Sequence, residues 1–218
     1  MNVYFISGLG ANQKAFENFV LPEGYKFLFI DWKQPLKNET LPNYCKRMSE
    51  EIDTSKPFIL VGYSFGGIVS QEINRFMKPE KTIIIASAKK KEEMCLMFKI
   101  SSLTSFHKIV PSSLFTNEYF LSYKFFRNIY YIRDKATNFF DYYVHRDPYY
   151  LRWSFNKIVN WKPTVKVENL YHIHGAQDVV FPNVKVTENV RVIENGTHLM
   201  PMYRTKTVNK ILNDILTR

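Results

Sequence analysis

Residues Phe58 to Ile73 read FILVGYSFGGIVSQEI, and this stretch decides how the rest of the chain is parsed. Phe58 to Gly62 is a short β-rich apolar run. Gly62-Tyr63-Ser64-Phe65-Gly66-Gly67 then breaks it, and Phe65, Ile68, Val69, Ile73 and Phe76 continue at helical spacing. A strand passing through a glycine-flanked serine directly into a helix is the setting in which a serine is presented on a strained turn. Strain of that kind costs about 1–3 kcal/mol. A glycine-rich tight turn carrying an incidental serine is the alternative, since two glycines around a serine also arise by chance.

Working outward, further β-rich runs fall at Val3 to Ser7, Tyr25 to Ile30, Thr82 to Ser87, Leu170 to His174 and Val190 to Ile193. Several are continuously apolar rather than alternating, which marks strands buried on both faces, as in a parallel sheet covered by helices. Helical stripes lie between them: Leu41, Tyr44, Cys45, Met48 and Ile52, and later Val208, Ile211, Leu212, Ile215 and Leu216. The alternation predicts an α/β fold with a mostly parallel six-stranded sheet and helices on both faces. Between Ala88 and Pro163 no strand is evident and aromatics crowd together. The expected organisation is therefore a core of residues 1–87 and 164–218 with a helical lid inserted at 88–163.

The bulk composition sets limits. A chain of 218 residues with 45% hydrophobic content can bury one sizeable core, which excludes a disordered chain or a small stapled scaffold. Cys45 and Cys95 form no CxxC or Cys/His cluster, so neither a disulfide framework nor a zinc site is indicated. No basic leader and no run of about 18 apolar residues is present, and the chain reads as a cytoplasmic protein without membrane insertion. The net charge of +10 raises nucleic acid as a partner. The lysines are scattered, however, and no nucleic-acid-binding motif accompanies them. A plain solvated surface is the favoured reading of the charge, with an anionic substrate or an acidic acyl carrier docking near Lys89, Arg127, Arg133, Arg146 and Arg152 as the alternative.

A serine hydroxyl is a poor nucleophile unless a base takes its proton and a third group orients the base. Downstream strand ends offer both. YHIHGAQDVVFP puts Asp178 just past one strand, and VIENGTHLMP puts His198 just past the next. His174 is the rival base, though tied to a strand. His172 reads as a local hydrogen-bonding residue, and His107 and His145 as packing or surface residues of the insertion. Asp31 reads as a local acceptor and Asp147 as a helix cap.

ISGLGAN after the first strand, DW after the second, GYSFGG, HGAQD and NGTHLMP together resemble the α/β-hydrolase superfamily, in the manner of its small, uncharacterised bacterial esterase-like members. The resemblance spans essentially the whole chain. It implies Ser64 as nucleophile, His198 as general base, Asp178 as orienting acid, and the backbone N–H groups of Leu9 and Phe65 as the oxyanion hole. No cofactor or metal is implied. The chain carries Ser7-Gly8 where many relatives carry His-Gly, and only Pro182 to Asn189 separates the acid loop from the last strand, too little for a full helix. Tyr63, Leu9, Met200 and Met202 flank the triad and are candidate substrate contacts, with Phe139, Phe140 and Trp153 as roof aromatics. The implied activity is hydrolysis of a carboxylic ester or thioester. A lyase-type reaction on the same triad, or a catalytically silent ligand-binding protein, stand as alternatives.

Overall fold

The computed structural model describes residues 1–104 and 141–218. Six strands form one sheet in the order β2-β1-β3-β4-β5-β6. They are β1 (Asn2–Ile6), β2 (Lys26–Phe29), β3 (Phe58–Tyr63), β4 (Lys81–Ile85), β5 (Leu170–Gly175) and β6 (Val190–Ile193), and every neighbouring pair is parallel.

The continuous apolar runs divide between two cores because successive side chains of a strand point to opposite faces. On β1, Tyr4 and Ile6 join one buried cluster while Val3 and Phe5 join the other; on β3, Phe58 and Leu60 part from Ile59, Val61 and Tyr63 in the same way. The first cluster is closed by α1 (Leu41–Ser49), α2 (Phe65–Ile73) and α4 (Pro148–Asn160). The second is closed by a 3₁₀ turn at Gln13–Phe16, by α5 (Met200–Tyr203), whose Met200 is buried, and by α6 (Thr205–Thr217), whose Val208, Leu212, Ile215 and Leu216 are buried. Thr40 caps α1 by accepting from the Asn43 N–H at 3.3 Å, satisfying one of the amides that the first turn leaves open. Helix α2 ends at Ile73, so Phe76 lies beyond it and is exposed instead of continuing the buried stripe.

Between β4 and β5 the described residues hold a 3₁₀ turn (Lys91–Glu93), α3 (Leu96–Thr104) and α4. Tyr150, Leu151, Trp153 and Ile158 of α4 belong to the same buried cluster as α1 and α2. This end of the insertion is thus a wall of the core. Trp153 is accordingly not a roof residue: its ring packs on Tyr44 at 4.6 Å and its indole N–H donates to the Glu39 carbonyl at 3.0 Å. Asp147 caps α4, accepting from the Tyr150 N–H at 2.8 Å. Phe139, Phe140, His107, Arg127 and Arg133 lie outside the described residues. No helix among the described residues is long and apolar enough to cross a membrane.

Candidate active site

Parallel strands present all their carboxyl ends along one edge, and the loops leaving β1, β3, β5 and β6 meet there. Ser64 sits between β3 and α2 with φ 53° and ψ −116°, a left-handed backbone that a non-glycine residue adopts only when its surroundings enforce it. Here they do. The Ser64 N–H donates to the Ile85 carbonyl at 2.9 Å, and the Ser64 carbonyl accepts from Ser87 Oγ at 2.8 Å and from the Gly67 N–H at 3.0 Å. The flanking glycines permit the close crossing. A Cβ on Gly62 would stand 2.3 Å from the Gly66 carbonyl oxygen, and one on Gly66 2.2 Å from that of Ile6. Both obstacles are backbone and cannot give way.

His198 and Asp178 arrive from the two last strands. Their loops are latched together: the Ala176 N–H donates to the Ile193 carbonyl at 3.0 Å and the Gln177 N–H to that of Gly196 at 2.9 Å. Ser64 Oγ lies 2.9 Å from His198 Nε2, and His198 Nδ1 lies 2.9 Å from Asp178 Oδ2. The other carboxylate oxygen, Oδ1, accepts from the Val180 N–H at 2.8 Å and the Phe181 N–H at 3.0 Å. Burial works against the charge on Asp178, but His198, His174 and the Phe181 amide outweigh it and hold the carboxyl below the ordinary carboxylate range. The acid is therefore ionised at neutral pH.

The imidazole of His198 is flanked by two rings, Tyr63 at 5.7 Å and Phe181 at 5.6 Å. Tyr63 thus packs its ring beside the base. Phe181, within VVFP, has no motif of its own; its position three residues beyond the acid was the available signal. Met200 is fully buried in the cluster on the α6 face and is a core residue, not a surface open to substrate. His174 is not placed as the base, for its ring stands 5.0 Å from that of His172 on β5, and burial holds both imidazoles below their usual pKa. Asp31 accepts from its neighbour's N–H and lies 2.9 Å from His145 Nε2. Cys45 and Cys95 are free; burial pushes the Cys45 thiol well up.

Leu9 and Phe65 lie on either side of the elbow. Among the described residues neither of their backbone N–H groups has a hydrogen-bond partner. The Phe65 N–H opens helix α2, where unpaired amides and the helix dipole both favour negative charge. The loop bearing Leu9 is strapped by the chain returning from the insertion. The Gly10 carbonyl accepts from the N–H groups of Val144 and His145 at 2.9 and 3.0 Å, the Asn12 N–H donates to the Tyr142 carbonyl at 2.9 Å, and the Gly10 N–H donates to Tyr150 Oη at 3.3 Å.

No protein-family model matches the sequence, and no curated protein does. Solved structures do match. A hydrolase from Pseudomonas aeruginosa aligns with a TM-score of 0.74 at 14% identity, covering 100% of this chain and 90% of that one. MenH from S. aureus aligns at 0.69 and 14%, covering 100% and 93%. A lipase-esterase related protein from Clostridium acetobutylicum aligns at 0.68 and 15%, covering 98% and 93%. At these identities the likeness establishes the architecture: the chain has the α/β-hydrolase fold.

Proposed function

We propose that the protein is a serine hydrolase that cleaves a carboxylic ester or thioester through an acyl-enzyme. One observation carries this reading: the unbroken Ser64 Oγ, His198 Nε2, His198 Nδ1, Asp178 Oδ2 relay, with both contacts at 2.9 Å, on a backbone strained at Ser64. Backbone strain costs stability, and a turn of no chemical use has no need of it.

In the proposed reaction Asp178 accepts from Nδ1–H of His198, which leaves Nε2 unprotonated and facing the serine. His198 takes the Ser64 proton as Oγ attacks the acyl carbon. The oxyanion that forms accepts from the Leu9 and Phe65 N–H groups, which are free to donate at that moment. His198 then protonates the departing alkoxide or thiolate, and the bond from the acyl carbon to the leaving group breaks. Water, deprotonated by His198, attacks the acyl-enzyme in the second half, and release of the acid restores Ser64. The lipase-esterase related protein and the hydrolase that align with this chain are named for this class of reaction.

The test is a fluorophosphonate probe on the folded protein. Labelling should map to Ser64 alone and vanish in Ser64→Ala and, to near completion, in His198→Ala. An unlabelled wild type refutes the reading.

A further inference from the structure

The proposed oxyanion hole is only as good as the spacing and direction of two N–H groups on separate segments, one on the β1 loop and one at the start of α2. The peptide between Gly8 and Leu9 is held within its own loop by one turn bond, from the Ala11 N–H to the Gly8 carbonyl at 3.0 Å, and the glycine at its start leaves the backbone otherwise nearly free to rotate. Were that peptide to turn over, the Gly8 carbonyl would enter the hole in place of the Leu9 N–H and repel an oxyanion.

Trp32 touches both segments. Its indole N–H donates to the Gly8 carbonyl at 3.0 Å, and that carbonyl also accepts from the Ala11 N–H at 3.0 Å. The Gly8 carbonyl and the Leu9 N–H belong to one planar trans peptide, so holding the oxygen in one direction holds the N–H in the opposite one. The face of the same indole stacks on the ring of Phe65, with centroids 5.2 Å apart and planes 13° from parallel. Trp32 is itself anchored through its backbone N–H to Asp31 Oδ1 at 2.8 Å, with the Tyr150 ring 6.0 Å away. It is not wedged in on all sides: a cavity of about 260 Å³ lined by Trp32, Lys33, His145 and Tyr150 opens beside it. The indole is buried, at 8% exposure, and its one polar atom is committed to Gly8.

We propose that Trp32 is the positioning residue of the oxyanion hole, gauging the separation of the Leu9 and Phe65 N–H groups through one rigid ring system. The proposal rests on the serine-hydrolase reading and adds to it a residue that touches no substrate. A buried indole N–H takes an acceptor in any core, as that of Trp153 does at the Glu39 carbonyl; what sets Trp32 apart is that its acceptor belongs to the Gly8–Leu9 peptide while its ring stacks on Phe65.

The experiment removes the N–H and keeps the ring. Trp32→Phe does this crudely. Replacing Trp32 with 3-benzothienylalanine, which carries sulfur in place of the N–H at nearly the same shape, does it cleanly and covers the case in which the phenylalanine variant folds poorly. Each protein is assayed for kcat and KM on p-nitrophenyl butyrate, for affinity toward a trifluoromethyl ketone that mimics the tetrahedral adduct, and for melting temperature. Since deleting a whole oxyanion donor costs about 10²–10³ in kcat, displacing one should lower kcat by roughly 10–100-fold. KM should stay within about twofold, and trifluoromethyl ketone affinity should fall by the same factor as kcat/KM. A benzothienyl protein with wild-type kcat and wild-type inhibitor affinity, whatever its melting temperature, overturns the proposal while leaving the hydrolase reading intact. A wild type that neither labels at Ser64 nor hydrolyses any ester overturns both.

Discussion

Asp178→Asn is the most discriminating single change, because the surroundings of the carboxylate dictate which way the amide must lie. Oδ1 accepts two backbone N–H groups, from Val180 and Phe181, while Oδ2 faces His198 Nδ1. An asparagine must keep its carbonyl on the side of the two amides. The flipped rotamer would set its NH₂ against two buried donors and leave both unsatisfied, at about 1–3 kcal/mol each. The NH₂ therefore points at Nδ1, which must become an acceptor, and the imidazole proton moves to Nε2. A protonated Nε2 can donate to Ser64 Oγ but cannot take its proton. Loss of this tautomer should cost up to about 10⁴ in kcat, or roughly 5 kcal/mol of transition-state stabilisation. The fold should survive, since the hydrogen bonds that organise the acid loop are retained. The measurements are kcat/KM on a short-chain ester and the rate of fluorophosphonate labelling, with nitrogen-15 shifts of His198 to report the tautomer. Asp147→Asn, at the α4 cap, is the control and should stay within about threefold of wild type in kcat and near wild type in stability, since asparagine caps a helix about as well as aspartate. If Asp178→Asn kept a tenth of the activity, or if Asp147→Asn lost as much, Asp178 would not be the orienting acid.

Two other outcomes follow from charge and burial. His172 is nearly fully buried, and burial first, then His174 and Lys89, hold its pKa well below the usual value against the opposing pull of Asp178. Below about pH 6.5 the unfolded chain binds a proton that the folded chain refuses, so stability should decline as pH drops from 7.5 to 5, by at most about 1.4 kcal/mol per pH unit for this group. His174 adds in the same direction. Asp178, with its lowered pKa, should not contribute until the pH falls below the ordinary carboxylate range. Urea midpoints across that window should show a shallower slope in His172→Leu, and an unchanged slope would remove His172 as its source. Separately, if the net charge of +10 serves to dock an acidic acyl carrier, hydrolysis of carrier-bound thioesters should slow with rising salt while hydrolysis of free small esters does not. An identical salt response would leave a small-molecule hydrolase with a solvated surface.

The architecture was readable because its strands are buried on both faces and so announce themselves as apolar runs. Val190 to Ile193 matches β6 at both ends, and Phe58 to Gly62 stops one residue short of the end of β3. The positions of Ser64, Asp178 and His198 were equally legible, since each follows a strand at the edge where parallel sheets place their loops. Packing partners were not. Trp153 and Met200 are large apolar residues close to suggestive segments, but nothing in a sequence says whether such a side chain faces a cavity or a neighbouring helix. The contacts of Phe181 with His198 and of Trp32 with Gly8 and Phe65 were hidden for a related reason. Those partners are made by the crossing of segments distant in the chain, and the crossing is a property of the assembled sheet.

The order in which the reacting groups are synthesised also differs from the order in which they act. Ser64 precedes His198 by 134 residues, while Asp178 precedes it by only 20. At about 5–20 residues per second of translation, the elbow serine would wait roughly 7–27 s for its base, whereas acid and base would emerge within about 1–4 s of each other. The β5–β6 pairing and the latch between the two loops cannot form before residues 170–196 have been made. If Ser64 reacts as proposed, a nascent chain cannot be acylated by metabolites or inhibitors while it is still being made, and covalent probes should report only chains whose final strand has docked.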